Sequence, residues 1–246
     1  MARIETLLTT RQGGVSHPPF DSLNLGLHVG DEVEAVLENR RRVCATFGST
    51  LDDLVIANQV HGAGVAVVDD RHRGHGARDL DGAVPATDAL VTETRGLVLC
   101  ILVADCLPVA FVDDEGSRIG VAHAGWRGTA AGVLEATAAA LFELGSSPRS
   151  LRIEVGPGIG TNRFQVGEEV VDQLGLSENS PHVDRSRTKP HIDLTGVVVD
   201  RLLALGLEPH QLSVSSERTG ERYFSARASE RSGRFAMLAK ILDNGG

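Results

Sequence analysis

Residues 104–128 read ADCLPVAFVDDEGSRIGVAHAGWRG. Two apolar runs, VAFVDD and RIGVA, flank a short Asp-Glu-Gly link, the pattern of a tight β-hairpin. A loop centred between Asp114 and Glu115 sets Cys106 opposite His123, and moving that loop by one residue shifts the register by two. In either register both residues lie at the same end of the hairpin. Directly opposed residues bring their Cβ atoms to ~4.5–5.5 Å. That separation suits two ligands of one ion, because Zn–S is ~2.3 Å and Zn–N ~2.0–2.1 Å. Pro108 fits the open end, since proline is tolerated near a strand start.

Outward from the hairpin, short strands alternate with helices. IETLLTT reads as a strand followed by a turn on Gly13-Gly14. Asp31 is placed as the N-cap of a helix carrying Val33, Val36, Leu37, Val43 and Phe47 at helical spacing, closed by Gly48. Cys44 near its apolar face reads as core. LVIANQV and GVAVVDD are strands joined through His61-Gly62. Asp69–Ala86 is polar, glycine-containing and aperiodic, the pattern of a mobile loop bordering a pocket or of a disordered segment. DALVTET, LVLCILV and LRIEV are further strands, and Thr129–Leu144 is an Ala-rich helix. GPGIG matches no phosphate-loop pattern and reads as a turn. A short helix at GEEVVDQLG and another over Thr195–Leu205 follow, then strands at LSVSS, YFS and FAMLAKI. The clearest strands arrive as hairpins rather than strict βαβ units, which selects an α+β fold with a mixed β-sheet and flanking helices. With no internal repeat and no linker, residues 1–246 are expected to form a single domain.

The chain has 246 residues, 41% apolar and 23% charged, enough to bury a sizeable core. No run reaches the ~18 apolar residues of a membrane span, and the N-terminus shows no apolar signal region. The expectation is a cytoplasmic protein with no membrane partner. Cysteines at 44, 100 and 106 form neither a CxxC pair nor a disulfide framework, which fits a reducing compartment and one functional thiol. The net charge of -9 argues against nucleic acid, whose binding rests on Lys and Arg. Arg40–Arg42 and Arg185–Lys189 read as solvated faces.

A third ligand is at hand. His61, in QVHG, follows an apolar strand and precedes a glycine, so it also sits at a strand end. His61, Cys106 and His123 offer two imidazoles and one thiolate with a fourth position open, the pattern of a catalytic rather than a structural zinc. Taken singly, each has a plainer reading as a hydrogen-bonded or core residue. His72 and His75 lie in the polar loop, and the remaining histidines have no ligand context. GWRGT then leads from His123 into the Ala-rich helix. Helix N-termini expose free N–H groups, and Arg127 adds a planar donor fork, so an anion site is expected there. The alternative for Arg127 is a surface ion pair. Arg11, in TTRQGG, is a second candidate for the same pocket.

Several stretches together resemble the laccase-domain family: TTRQGGVSHPPFDSLNLGLHVGD, NQVHG, TDALVT, ADCLPV, AHAGWRG, GPGIG and YFSARASERSGRFAML. Members of that family are variously described as multicopper polyphenol oxidases, peptidoglycan editing factors, and purine nucleoside phosphorylases with adenosine deaminase activity. The resemblance implies a fold related to cysteine hydrolases, and it places the family's metal ligands on His61, Cys106 and His123. It implies phosphorolysis of adenosine, inosine, guanosine and methylthioadenosine, with deamination of adenosine. Two departures stand out. Gly158 replaces a cysteine common in the family, which also often has a Cys near Ser215-Ser216. YFSARAS keeps Arg227 but has Ala228 where a second basic residue is common.

Three chemistries compete for the triad. A zinc-dependent nucleoside enzyme uses water made acidic near neutral pH by the metal. A copper polyphenol oxidase (laccase) requires His₂Cys with a weak axial ligand such as Met, and only Met1 and Met237 are available, with no His-x-His pairs for a copper cluster. A cysteine hydrolase would use Cys106 as nucleophile and His123 as base, editing a peptidoglycan precursor. A fourth reading, a metal-stabilised non-enzymatic partner, leaves the open coordination position unused. Zinc is therefore the expected cofactor, with copper as the alternative, and a purine nucleoside and phosphate are the expected small-molecule partners.

Overall fold

The computed structural model describes residues 3–113, 115 and 117–242. In chain order the strands and helices are β1 (Ile4–Leu8), α1 (Val33–Thr46), β2 (Leu54–Ile56), β3 (Val65–Val67), β4 (Ala89–Thr92), β5 (Val98–Val103), β6 (Leu107–Asp113) and β7 (Ile119–Ala124). They continue with α2 (Trp126–Ala131), α3 (Val133–Glu143), β8 (Leu151–Val155), α4 (Glu168–Gln173), β9 (Val183–Asp184), β10 (His191–Ile192), α5 (Leu194–Ala204), β11 (Leu212–Val214) and β12 (Phe235–Ile241).

The mixed α and β character is as expected, but the strands form two principal sheets rather than one. One has the order β1-β12-β5-β2 and the other β11-β8-β6-β7-β4-β3, and β9 pairs with β10 apart from both. Each large sheet contains parallel and antiparallel pairs.

Side-chain alternation shows how the sheets stack. Along β5, Leu99, Ile101 and Val103 join one apolar cluster while Val98, Cys100 and Leu102 join another. Along β12, Phe235, Met237 and Ala239 share the first cluster, and Ala236 and Leu238 the second. The first cluster also takes Ala110 from β6 and Ile119 and Val121 from β7, so it fills the space between the two sheets. The second lies under α1, through Val43 and Cys44. Leu107, Val109 and Phe111 face a third cluster beneath α3 and α5. The result is four layers, helix–sheet–sheet–helix, held by apolar faces that neither sheet could leave in water.

Local details depart from the sequence reading for identifiable reasons. Helix α1 is capped at Glu32, not Asp31, because the Asp31 carboxylate accepts from the Glu32 N–H and the Asn24 amide. The Ala-rich helix is broken at Gly132, whose φ of 90° is left-handed, leaving α2 and α3 as separate pieces. The YFS stretch is not a strand; Tyr223 and Phe224 are buried side chains of a loop. Arg41 and Arg42 are solvated beside Glu38, as expected. Arg40 is not: it is 2% exposed and donates from Nε to the Leu25 carbonyl and from Nη1 to the Gly76 and Ala77 carbonyls. Those bonds, with the Arg73–Asp53 and Arg78–Asp52 pairs, fasten the 69–86 segment to the sheet that carries β2.

Candidate metal centre

The β6–β7 hairpin exists, with its turn reaching outside the described residues. Its register pairs Pro108 with His123 and Leu107 with Ala124, the second of the two registers the sequence allows. Cys106, just before β6, therefore lies across from Gly125 and diagonal to His123. Diagonal neighbours on one face stand farther apart than direct partners, and the missing side chain of Gly125 closes the gap. A Cβ there would sit 2.7 Å from the Cys106 sulfur and 3.5 Å from His61 Cδ2. Gly128 does similar work one turn on, since a Cβ would meet the Gly62 carbonyl at 2.9 Å. The two glycines of GWRG let α2 lie directly against the site.

His61 sits in the loop between β2 and β3 with a left-handed φ of 61°, uncommon for a residue with a side chain. Asp88, at the entrance to β4, holds it there. Its Oδ1 accepts from the His61 N–H at 2.9 Å, and its Oδ2 accepts from Gly62 and Val60 N–H at 2.7 and 3.2 Å. The same Oδ1 lies 2.9 Å from His123 Nδ1. A carboxylate at Nδ1 fixes the imidazole tautomer and turns the lone pair of Nε2 towards a metal. Asp88 is fully buried, and these bonds, the His123 contact foremost, hold its carboxyl below the usual range against the cost of burial.

The structure thus brings together the three ligands expected from the sequence. One donor atom from each of His61, Cys106 and His123 lies within 4.8 Å of the others. Burial alone would raise the Cys106 thiol, yet His123 and His61 outweigh it and draw it down; His123 is raised in turn by Cys106 and Asp88. A soft thiolate with two imidazoles suits zinc in a three-ligand, open site. Cys44 and Cys100 differ: burial pushes their thiols up to about 11 and about 12, so they are inert core residues.

The triad opens onto a cavity of about 470 Å³ at the end of the layer between the sheets. That size falls in the ~300–1,000 Å³ range of small-molecule sites. Its walls come from β2, the end of β5, the 69–86 segment and the chain near Ala226 and Arg234. Arg127 and Arg11 are not among the lining residues. Arg127 is exposed, with its guanidinium 4.3 Å from the centre of the Trp126 ring. Arg11 binds the Asp21 carbonyl and carboxylate and stacks over Phe224. The sequence reading missed Asp88, Arg40 and Arg234. Gly158 packs against Leu107, where a Cβ would approach Cδ2 to 2.6 Å, so the cysteine common in the family would require Leu107 to move.

Residues 5–242 match the family model for multi-copper polyphenol oxidoreductase laccase. Among similar proteins, one from Geobacillus stearothermophilus, named purine nucleoside phosphorylase YlmD, is 38% identical over 95% of this chain and 88% of its own length. A Pseudomonas aeruginosa protein also named a purine nucleoside phosphorylase is 38% identical, covering 98% of this chain and 95% of that one. Among solved structures, a Bacillus licheniformis hypothetical protein YfiH superposes with a TM-score of 0.93 at 34% identity, over 97% of this chain and 92% of that one. The YlmD structure from Geobacillus stearothermophilus gives 0.92 at 35% identity, over 98% and 92%.

Proposed function

Since the chain belongs to the multi-copper polyphenol oxidoreductase laccase family, we propose that it is a zinc-dependent purine nucleoside enzyme. It splits adenosine, inosine, guanosine and methylthioadenosine with phosphate, and it deaminates adenosine. The observation that carries this reading is the His61–Cys106–His123 cluster, its donor atoms within 4.8 Å of one another, in the wall of a nucleoside-sized cavity. The relatives' names give the substrate class. Zinc is favoured over type 1 copper by the donor set: Met237, the one methionine among the described residues, is buried between the sheets and does not line the cavity.

When bound, zinc supplies Lewis acidity and makes water acidic near neutral pH. The protein's own residues set the rest. Asp88 keeps a proton on His123 Nδ1 and clamps the His61 backbone, so the His123 ring and the His61 main chain are held before any metal arrives. The apolar layer behind them buries His123, while His61 stays exposed. In phosphorolysis a phosphate oxygen bonds to ribose C1′ while the C1′–N bond breaks, and the electron pair, with a proton, goes to the departing base. That reaction needs an anion site; Arg127 and Arg11, the candidates from the sequence, are not among the residues that line the cavity.

The experiment is a purine nucleoside panel with and without phosphate, read by chromatography. Base release only with phosphate, and adenosine deamination without it, support the reading. Full metal occupancy with no nucleoside turned over overturns it. A second reading also has an observation behind it. Cys106, held low by His123, with Asp88 behind the imidazole, has the make-up of a cysteine hydrolase nucleophile, which fits the editing of a peptidoglycan precursor. A chelator abolishes activity under the first reading and spares it under the second.

A further inference from the structure

Away from the metal ligands, the cavity wall carries two guanidinium groups that form no ion pair with a carboxylate among the described residues; Cys106 and Asp105 act on Arg234 only through space. Arg40 is buried on α1. Its Nε and Nη1 are spent on the Leu25, Gly76 and Ala77 carbonyls, while Nη2 has no partner among the described residues. Arg234 lies just before β12 and, among the described residues, uses only Nη1, on the Ser232 and Gly233 carbonyls, leaving Nε and Nη2 without a partner there. The Arg234 stem and the His28 ring lie together over Gly26, where a Cβ would meet Arg234 Cγ at 2.8 Å and His28 Cε1 at 3.4 Å. All three residues line the cavity shared with His61, Cys106 and His123, and the one carboxylate among its described lining residues is the exposed Asp81.

Burying a charge with no ion-pair partner in contact is costly, and a ligand of opposite charge would complete the site. Burial draws Arg40 down to about 10, which still leaves it cationic at neutral pH. Burial and the charges of Arg234, Arg40 and His61 push His28 down to about 4, as expected for an imidazole beside two guanidiniums. The carbonyl bonds hold both guanidiniums in fixed orientations, and fixed donor forks favour tetrahedral oxyanions.

We propose that Arg40 and Arg234, with His28 beside them, form the inorganic phosphate subsite of this cavity. The assignment rests on the phosphorolysis reading and replaces Arg127 as the phosphate ligand, because Arg127 is exposed on Trp126 and is not a lining residue. It places the attacking phosphate within the same chamber as the metal triad, where the ribose must lie between them.

The test is direct binding of inorganic phosphate to the zinc-loaded protein by calorimetry, repeated with inosine 5′-monophosphate. Arg234→Gln should weaken inorganic phosphate roughly tenfold to hundredfold, as for loss of a charge-assisted fork. Arg234→Lys keeps the charge and should lie between that variant and the parent, which reads the site even if the glutamine variant folds poorly. Arg127→Ala should leave phosphate binding unchanged. Weakening by Arg127→Ala with none by Arg234→Gln overturns the assignment, as does a parent protein that binds inosine 5′-monophosphate but not phosphate. Nucleoside turnover is scored separately. Phosphate binding lost in Arg234→Gln, in a protein that splits no nucleoside, upholds the subsite while the phosphorolysis reading fails.

Discussion

Replacing Asp88 by asparagine keeps the shape of the side chain and removes one acceptor. The carboxylate accepts four contacts: His61 N–H and His123 Nδ1 at Oδ1, and Val60 and Gly62 N–H at Oδ2. An asparagine must put its NH₂ at one of those positions. With NH₂ at Oδ2, two backbone N–H groups face a donor. With NH₂ at Oδ1, the His61 N–H is orphaned and the amide donates to His123 Nδ1, driving the ring proton onto Nε2. A buried unsatisfied donor costs about 1–3 kcal/mol, so the two outcomes span about 1–6 kcal/mol. At about 2–4 °C per kcal/mol for a chain of this size, the metal-free variant should melt at least about 2 °C lower. Loss of a carboxylate behind a ligand histidine typically lowers metal affinity by about 10–100-fold. Zinc affinity by chelator competition and melting of the stripped protein read both effects. Parental zinc affinity and an unchanged melt in Asp88→Asn would refute the role of Asp88 as the clamp of both histidines.

Gly125→Ala puts a methyl group 2.7 Å from the resting Cys106 sulfur; with cobalt in place of zinc, the thiolate-to-metal absorption should weaken relative to the parent. Cys106→Ser should lose most of the metal yet melt like the stripped parent, because Cys106 is a half-buried residue at a strand end; unfolding would make the metal structural. His28 is held at about 4 in the folded chain against an ordinary value near 6.5. Its neutral form is therefore favoured by folding, and that stabilisation is whole above about pH 6.5 and lost as pH falls towards 4. Denaturant midpoints of His28→Gln should accordingly fall less over that interval than those of the parent, and parallel curves would count against the depressed value.

The hairpin was readable because β6 and β7 carry period-two apolar patterns across a short link, and the His61–Cys106–His123 cluster because each member lies beside a strand end. Two sheets in place of one were not readable: β5 is apolar on both faces, and LVLCILV looks the same whether its second face meets a helix or another sheet. Asp88 gave only a weak signal, an acid entering the buried strand ALVT, where a charge has to find partners. Arg40 left a clearer one. It stands four residues after Val36 and three before Val43, on the apolar face of α1, whereas Arg41 and Arg42 turn outward. The break at Gly132 was masked by the surrounding alanines, which favour helix on either side of it.

The central claim is that the His61–Cys106–His123 centre serves nucleoside cleavage. Its most direct test is to strip the protein, titrate zinc back, and follow hypoxanthine release from inosine in the presence of phosphate. The account predicts that activity rises with added metal to a plateau at about one zinc per chain, as one three-ligand site requires. Stripped protein that releases hypoxanthine at the full rate would contradict it.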